Sequence, residues 1–305
     1  MPLIECVPNV SEGRRADVID ALGSAIAAPD IRMLDRSSDP SHNRTVYTFA
    51  GEPGALRDAV LRLYTAAIAA IDLRAHDGVH PRIGAVDVVP FVPLQGATIE
   101  ECVTLAKNTA ALVAERFHVP VFLYEEAAST DDRRSLSSFR RGGVDGAALR
   151  MTQAAWRPDF GPDQPHPTAG ATVIGARPIL IAYNVNLASN RLAVAKRIAA
   201  AVRTTSGGLP SVKALGVQLE HGVVQVSMNL TNYRETSMVT VFDAIAREAA
   251  VDGVRVLESE IVGLVPADAL PKDPTRRLKL RAQDLDRVLE TRLERKNEDR
   301  KTNIT

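Results

Sequence analysis

The residues best equipped for chemistry lie between Asp77 and Pro93, in the stretch D-G-V-H-P-R-I-G-A-V-D-V-V-P-F-V-P. A turn dipeptide, Asp77-Gly78, leads into the polar triplet His80-Pro81-Arg82. An apolar, β-branched run from Ala85 to Val92 follows and reads as a buried strand. The proline after His80 disfavours helical backbone, so the imidazole is expected on an extended or turn segment. Gly84 allows a backbone or ligand to come close just before the strand. A titratable ring beside a permanent cation, at the mouth of a strand, suits proton transfer near neutral pH. The alternative is a histidine that caps the strand and bonds a carbonyl.

Other candidates are scattered. Asn43-Arg44-Thr45 closes a polar loop before a strand, and Arg44 is either a clamp for a carboxylate or a solvated loop arginine. Asp35 and Asp39 flank that loop and could orient a histidine, although aspartate also favours turns for its own sake. Glu5 stands in an apolar strand and implies either a site or an edge position. Glu125 and Glu126 end another strand, where carboxylates commonly mark a solvated helix start. The cluster Asp131-Asp132-Arg133-Arg134 is expected to be a solvated face. Trp156 opens a proline- and glycine-rich loop, where it would stack on a planar ligand or anchor packing. No P-loop, dinucleotide fingerprint, zinc spacing or nucleophile elbow occurs.

The elements that would position these residues follow a repeat. Leu3–Val10, 31–34, 45–50 and the run after His80 read as strands, with helices over 16–27 and from Pro53 towards Ile71. Ser37 to Arg44 is expected to be loop. Thr98-Ile-Glu-Glu101 is a capping box that opens a helix to about Phe117, and 120–124 is a strand. Residues 157–170 are too rich in proline and glycine for regular structure. Strand 179–187, a helix from Ser189, a hairpin of 212–218 and 223–229 turning at Glu220-His221-Gly222, helix 239–250 and strand 254–262 repeat the βαββαβ order. The fold class is α/β (α+β), with two ferredoxin-like subdomains. The expected limits are 1–178, which carries His80, and 179–271, followed by a charged surface helix or tail over 272–305.

Composition narrows the function. Lys plus Arg and Asp plus Glu number 37 each, so no basic face or tail points to nucleic acid or to a membrane surface. Aromatics make up only 4%, so Val, Ala, Leu and Ile must fill the core. Cys6 and Cys102 fit no metal spacing and read as buried, reduced thiols. The N-terminus lacks the basic start and long apolar stretch of a signal peptide, and no run is long enough to span a bilayer. A cytoplasmic protein is expected.

Several stretches together resemble the glutamate formimidoyltransferases. They are E-C-V-P-N-V-S-E-G (5–13), N-R-T-V-Y-T-F (43–49), H-P-R-I-G-A-V-D-V-V-P-F-V-P (80–93), V-P-V-F-L-Y-E-E-A-A (119–128), P-D-F-G-P (158–162), G-A-T-V-I-G-A-R (170–177) and the strand 180–187. The resemblance implies transfer of a formimino group from N-formimino-L-glutamate to N5 of tetrahydrofolate, without a metal, in a homodimer whose subdomains hold the folate between them. It implies His80 as the catalytic histidine. It implies folate binding by Gly161, Pro162, Asp163, Gln164, Pro165, His166, Pro167, Thr168, Ala169 and Gly170. From charge and fork geometry, Arg82 and Arg44 are expected on substrate carboxylates, with Asn43 and Asp39 beside them. The family is expected to carry an acid near Ser37; here Ser37-Ser38 precede Asp39, so the histidine's partner is Asp39, Asp35 or absent. Two rivals remain: a formyltransferase using N-formylglutamate or 5-formyltetrahydrofolate, and a non-catalytic folate-binding protein.

Overall fold

The first strand breaks where Pro8 cannot donate to a ladder. It forms β1 (Ile4–Cys6) and β2 (Asn9–Val10), and both pieces pair with the same two neighbours. The structure is a computed structural model that describes residues 2–78, 81–219 and 222–302, without the side chains of 296–302. Two compact units divide the chain, Met1–Arg177 and Pro178–Thr305.

In the first unit α1 (Ala16–Ile26), β3 (Arg32–Asp39), β4 (Arg44–Gly51), α2 (Pro53–Ala70) and β5 (Val86–Pro93) follow. The strands lie in the order β3, β4, β1 with β2, β5, all antiparallel. That is the split βαββαβ arrangement. Next come α3 (Ile99–Phe117), β6 (Val121–Glu125), α4 (Leu136–Arg140), α5 (Gly143–Met151) and β7 (Thr172–Ala176). Parallel to β5 lies β7, and β6 is outermost, so the sheet grows to seven strands. Thr98 caps α3 as expected: its Oγ1 accepts the Glu101 amide at 3.2 Å while Glu101 Oε2 accepts the Thr98 amide at 2.8 Å.

Alternation along the strands sorts the sheet into two faces. Val89, Leu123 and Ile174 join the main core with residues of α1, α2 and α3. Their neighbours Val88, Phe122 and Val173 join a smaller cluster with Phe139 of α4 and Met151 of α5. Contrary to the loop expected from Ser37 onward, Ser37, Ser38 and Asp39 continue β3 opposite Val46, Thr45 and Arg44. Two serines suffice for a strand when a β-branched partner strand supplies the ladder.

The second unit contains β8 (Ile181–Leu187), α6 (Leu192–Val202), β9 (Val212–Gln218), β10 (Val224–Leu230), α7 (Met238–Val251) and β11 (Val256–Val262), ordered β11, β8, β10, β9. Glu220 and His221 of the expected hairpin turn lie outside the described residues. One face of this sheet is apolar against α6 and α7. The other is a ladder of amides: Asn184 donates to Glu260 at 3.0 Å, Asn186 to Glu258 at 3.1 Å, and Gln225 to Asn186 at 2.9 Å. Beyond Pro271 come α8 (Pro274–Leu278), a 3₁₀ segment (Ala282–Arg287) and α9 (Leu289–Thr302). Leu278, Leu280 and Leu289 are buried, and Leu280 bridges Ser259 of β11.

Candidate active site

His80 itself lies outside the described residues, so the site is built from its flanks. Both flanks are tied to the end of the glycine-bounded loop. The Leu73 amide donates to Thr168 O at 2.8 Å, the Ala85 amide to Ala169 O at 2.9 Å, and the Ala171 amide to Ile83 O at 2.8 Å. Glycine is required where these chains meet. A Cβ on Gly84 would sit 2.0 Å from Ala171 O, and one on Gly170 (φ +70°) would sit 2.2 Å from Ile83 O. The loop closes on itself as well: His166 and Gly170 exchange two backbone bonds, and His166 Nδ1 accepts the Ala169 amide at 3.0 Å. Burial and then the His118 charge push the His166 ring below its ordinary value, in keeping with a neutral acceptor. Gly161 to Gln164, at the other end, are exposed.

The β3–β4 turn supplies the second wall. Asn43 is buried, in left-handed backbone (φ 47°). Its side chain accepts the Gly13 amide at 2.8 Å and donates to Asp77 O at 2.8 Å, while its carbonyl accepts from His76 Nε2 at 3.1 Å. Arg82 donates to His76 Nδ1 at 2.5 Å and to Gly78 O. With one nitrogen accepting and the other donating, His76 is held neutral in one tautomer. Burial, then the Arg82 charge, lower its pKa to match. Asn43 is thus scaffold for the segment that leads to His80. Asp39 is engaged by His42, accepting its amide at 2.9 Å and its ring Nδ1 at 2.5 Å. Burial raises the Asp39 pKa, but the His42 amide and ring outweigh it and hold the carboxyl below the usual range. A cavity of about 370 Å³ opens here, lined by Glu12, Arg14, Arg15, Asn43, Asp72 and His76 among others. An opening of similar size, about 380 Å³, lies between the starts of α2 and α3, lined by Pro53, Arg57 and Glu101 and by no histidine.

Behind the histidine segment sits a charge cluster. Asp87 of β5 is buried; its Oδ1 accepts the Ile83 amide at 2.7 Å, and its Oδ2 accepts Arg140 Nε at 2.8 Å and Nη2 at 2.6 Å. Arg44 lies within the field of both Asp87 and Arg140, and burial followed by the Arg140 charge pushes its guanidinium below the usual range. Arg82 is pushed the same way by burial, against the pull of Asp87 and Asp77. Asp87 and Arg140 did not stand out in the sequence, although a carboxylate inside an apolar strand run is a signal.

The remaining candidates find other roles. Arg133, expected on a solvated face, is buried: it bonds Asp159 at 2.9 Å, Ala155 O at 2.7 Å and Arg157 O at 2.6 Å. The P-D-F-G-P start of the loop explains this, because Asp159 also accepts the Leu123 amide and needs a cation. Trp156 is a packing anchor, edge-on to Phe139 at 5.4 Å. Glu5 is interior rather than at an edge, between Ala50 of β4 and Val92 of β5, and burial raises its pKa to about 7 against the pull of Arg177. Among the described residues no three or more His, Cys, Asp or Glu side chains gather as a metal site, and no helix is long and apolar enough to cross a membrane.

Residues 3–177 match the family described as "Formiminotransferase domain, N-terminal subdomain", and 182–276 match "Formiminotransferase domain". The chain is 44% identical over 299 residues to a glutamate formimidoyltransferase of Thermoplasma acidophilum, covering 97% of this chain and 98% of that protein. It is 42% identical to the glutamate formimidoyltransferase of Streptococcus pyogenes, covering 88% and 90%. The formimidoyltransferase-cyclodeaminase of Sus scrofa is 45% identical over 276 residues, which are 88% of this chain and 51% of that protein.

Proposed function

The chain belongs to the formiminotransferase family, and on that premise we propose that His80 is the proton-transfer group of its reaction. The enzyme moves the formimino group from N-formimino-L-glutamate to tetrahydrofolate, its co-substrate. N5 of the folate attacks the amidine carbon and forms a tetrahedral intermediate. A base removes the N5 proton, and an acid protonates the departing glutamate nitrogen. One imidazole performs both in turn, which is worth about 10²–10⁴-fold. Holding two substrates together supplies a further large share through proximity. Neither step, as written, needs a metal.

The observation that carries this reading is the lacing of both flanks of His80 to residues 168–171, with Asn43 bonded to the intervening segment. Residues Gly161 to Gly170 hold the folate, and Arg82 and Arg44 hold substrate carboxylates. Asp39 acts on the site through His42. The enzyme works as a cytoplasmic homodimer, which light scattering on the purified protein tests. His80→Ala should lose about 10²-fold or more in kcat while tetrahydrofolate binding is kept. Near-normal turnover would refute the assignment. An assay offering N-formimino- and N-formylglutamate side by side reads the donor preference.

A further inference from the structure

The segment that carries His80 is tied across its own ends by a second imidazole. His76 Nε2 bonds Asn43 O at 3.1 Å, and its Nδ1 bonds Arg82 Nη1 at 2.5 Å. A side chain ahead of His80 is therefore joined to one behind it. Arg82 Nη2 also donates to Gly78 O within the loop, and the Asn43 side chain donates to Asp77 O at 2.8 Å. A carbonyl can only accept and a guanidinium can only donate. Both His76 bonds thus coexist in one form of the ring, the neutral one with its proton on Nε2. A second proton, on Nδ1, would remove the acceptor and set two cations face to face. The ring borders the cavity of about 370 Å³ together with Glu12, Arg14, Arg15 and Asp72. Of the charges acting on it, Arg82 is the largest; Glu12 favours its protonation and Arg14 opposes it. Asp77 follows it in the chain, and Asp39 and His42 of the β3–β4 turn are bonded to each other.

Resting on the assignment of His80 above, we propose that His76 is a positioning residue for the transfer: as a neutral ring it clasps the loop that aims His80, and its protonation opens the clasp. Misplacing a reacting group by about 1 Å can cost about 10²-fold in rate. A loop fastened by its own side chains gives up that freedom before any substrate arrives. Burial and then the Arg82 charge lower the His76 pKa from 6.5, which keeps the clasp shut at neutral pH. The two imidazoles then have opposite duties. His80 exchanges protons in every turnover, and His76 works by not doing so.

The test is the pH profile of kcat for the full chain and two variants. Below pH 6.5 the parent should lose kcat more steeply than one proton allows, because both rings must be neutral. His76→Gln offers an amide oxygen to Arg82 and an amide nitrogen to Asn43 without titrating. It should follow a one-proton curve in acid. His76→Ala should lower kcat about 10- to 100-fold above neutrality, with the KM for tetrahydrofolate unchanged, and His76→Gln should recover most of that loss. A glutamine variant that keeps the parent's steep limb, or an alanine variant with the parent's kcat, would overturn the proposal. Should the alanine variant fail to fold, the glutamine profile decides. Nitrogen-15 spectra of the His76 ring give a readout without turnover. Above pH 6.5 they should show the Nε2–H tautomer, and an Nδ1–H ring would sink the clasp. That readout does not pass through His80, so a failed clasp and a failed catalytic assignment are told apart.

Discussion

Replacing Glu5 by glutamine should stabilise the protein above neutrality and do nothing in acid. Glu5 is 6% exposed in the middle of the first sheet, and burial lifts its pKa from 4.5 to about 7. The folded state therefore holds a proton that the unfolded chain releases. Stability falls as pH rises from 4.5 to about 7 and is level on either side of that window. At 1.36 kcal/mol per tenfold change in proton affinity, the loss is at most about 3 kcal/mol. That is a large fraction of the ~5–15 kcal/mol that holds a typical domain together. Glutamine keeps the shape and cannot ionise. Urea unfolding of both proteins at pH 4.5, 6, 7 and 8, followed by far-UV circular dichroism, should show curves that nearly coincide at pH 4.5, separate up to about pH 7 and keep that gap at pH 8. A gap independent of pH, or a variant less stable than its parent at pH 8, would refute the reasoning. Carbon-13 labelling of glutamate should show one carboxyl titrating near neutrality.

Three other outcomes are expected. Gly170→Ala forces a Cβ against Ile83 O in left-handed backbone; it should cost about 2 kcal/mol or more and raise the KM for tetrahydrofolate more than that for the donor, by calorimetry and steady-state kinetics. Thr98→Ala removes one half of the capping box on α3 and should cost about 1 kcal/mol in thermal unfolding, with kcat unchanged. Burial pushes the Cys6 thiol well above its ordinary value and that of Cys102 up to about 12, so a thiol reagent at pH 8 should find neither until denaturant is added.

Local chemistry was legible in the chain. The hydroxyl and carboxylate of Thr98 and Glu101 announce the start of α3, and the glycine at 222 separates two strands that do pair. The strand after His80 declares itself by its unbroken β-branched run. Contacts between distant residues were not legible. Nothing in the run 136–141 says that Arg140 reaches across to β5, because side-chain partners 53 residues apart leave no periodic trace. Asp131 to Arg134 reads as solvated because four charges in a row usually are, yet Arg133 alone turns inward to meet Asp159. Likewise β6 was visible as a strand, but its parallel pairing with β7 at the rim of the first sheet is a property of the tertiary fold.

The two units share a strand order and differ in what the sheets display. On the far face of the second, Asn184, Asn186 and Gln225 are buried and bonded to one another and to the carboxylates of Glu258 and Glu260. The corresponding face of the first unit is apolar, with Val88, Phe122 and Val173 packed on Phe139 of α4 and Met151 of α5. One topology used twice therefore ends in two different finishes: helices seal that face in the first copy, while side chains bonded to one another complete it in the second.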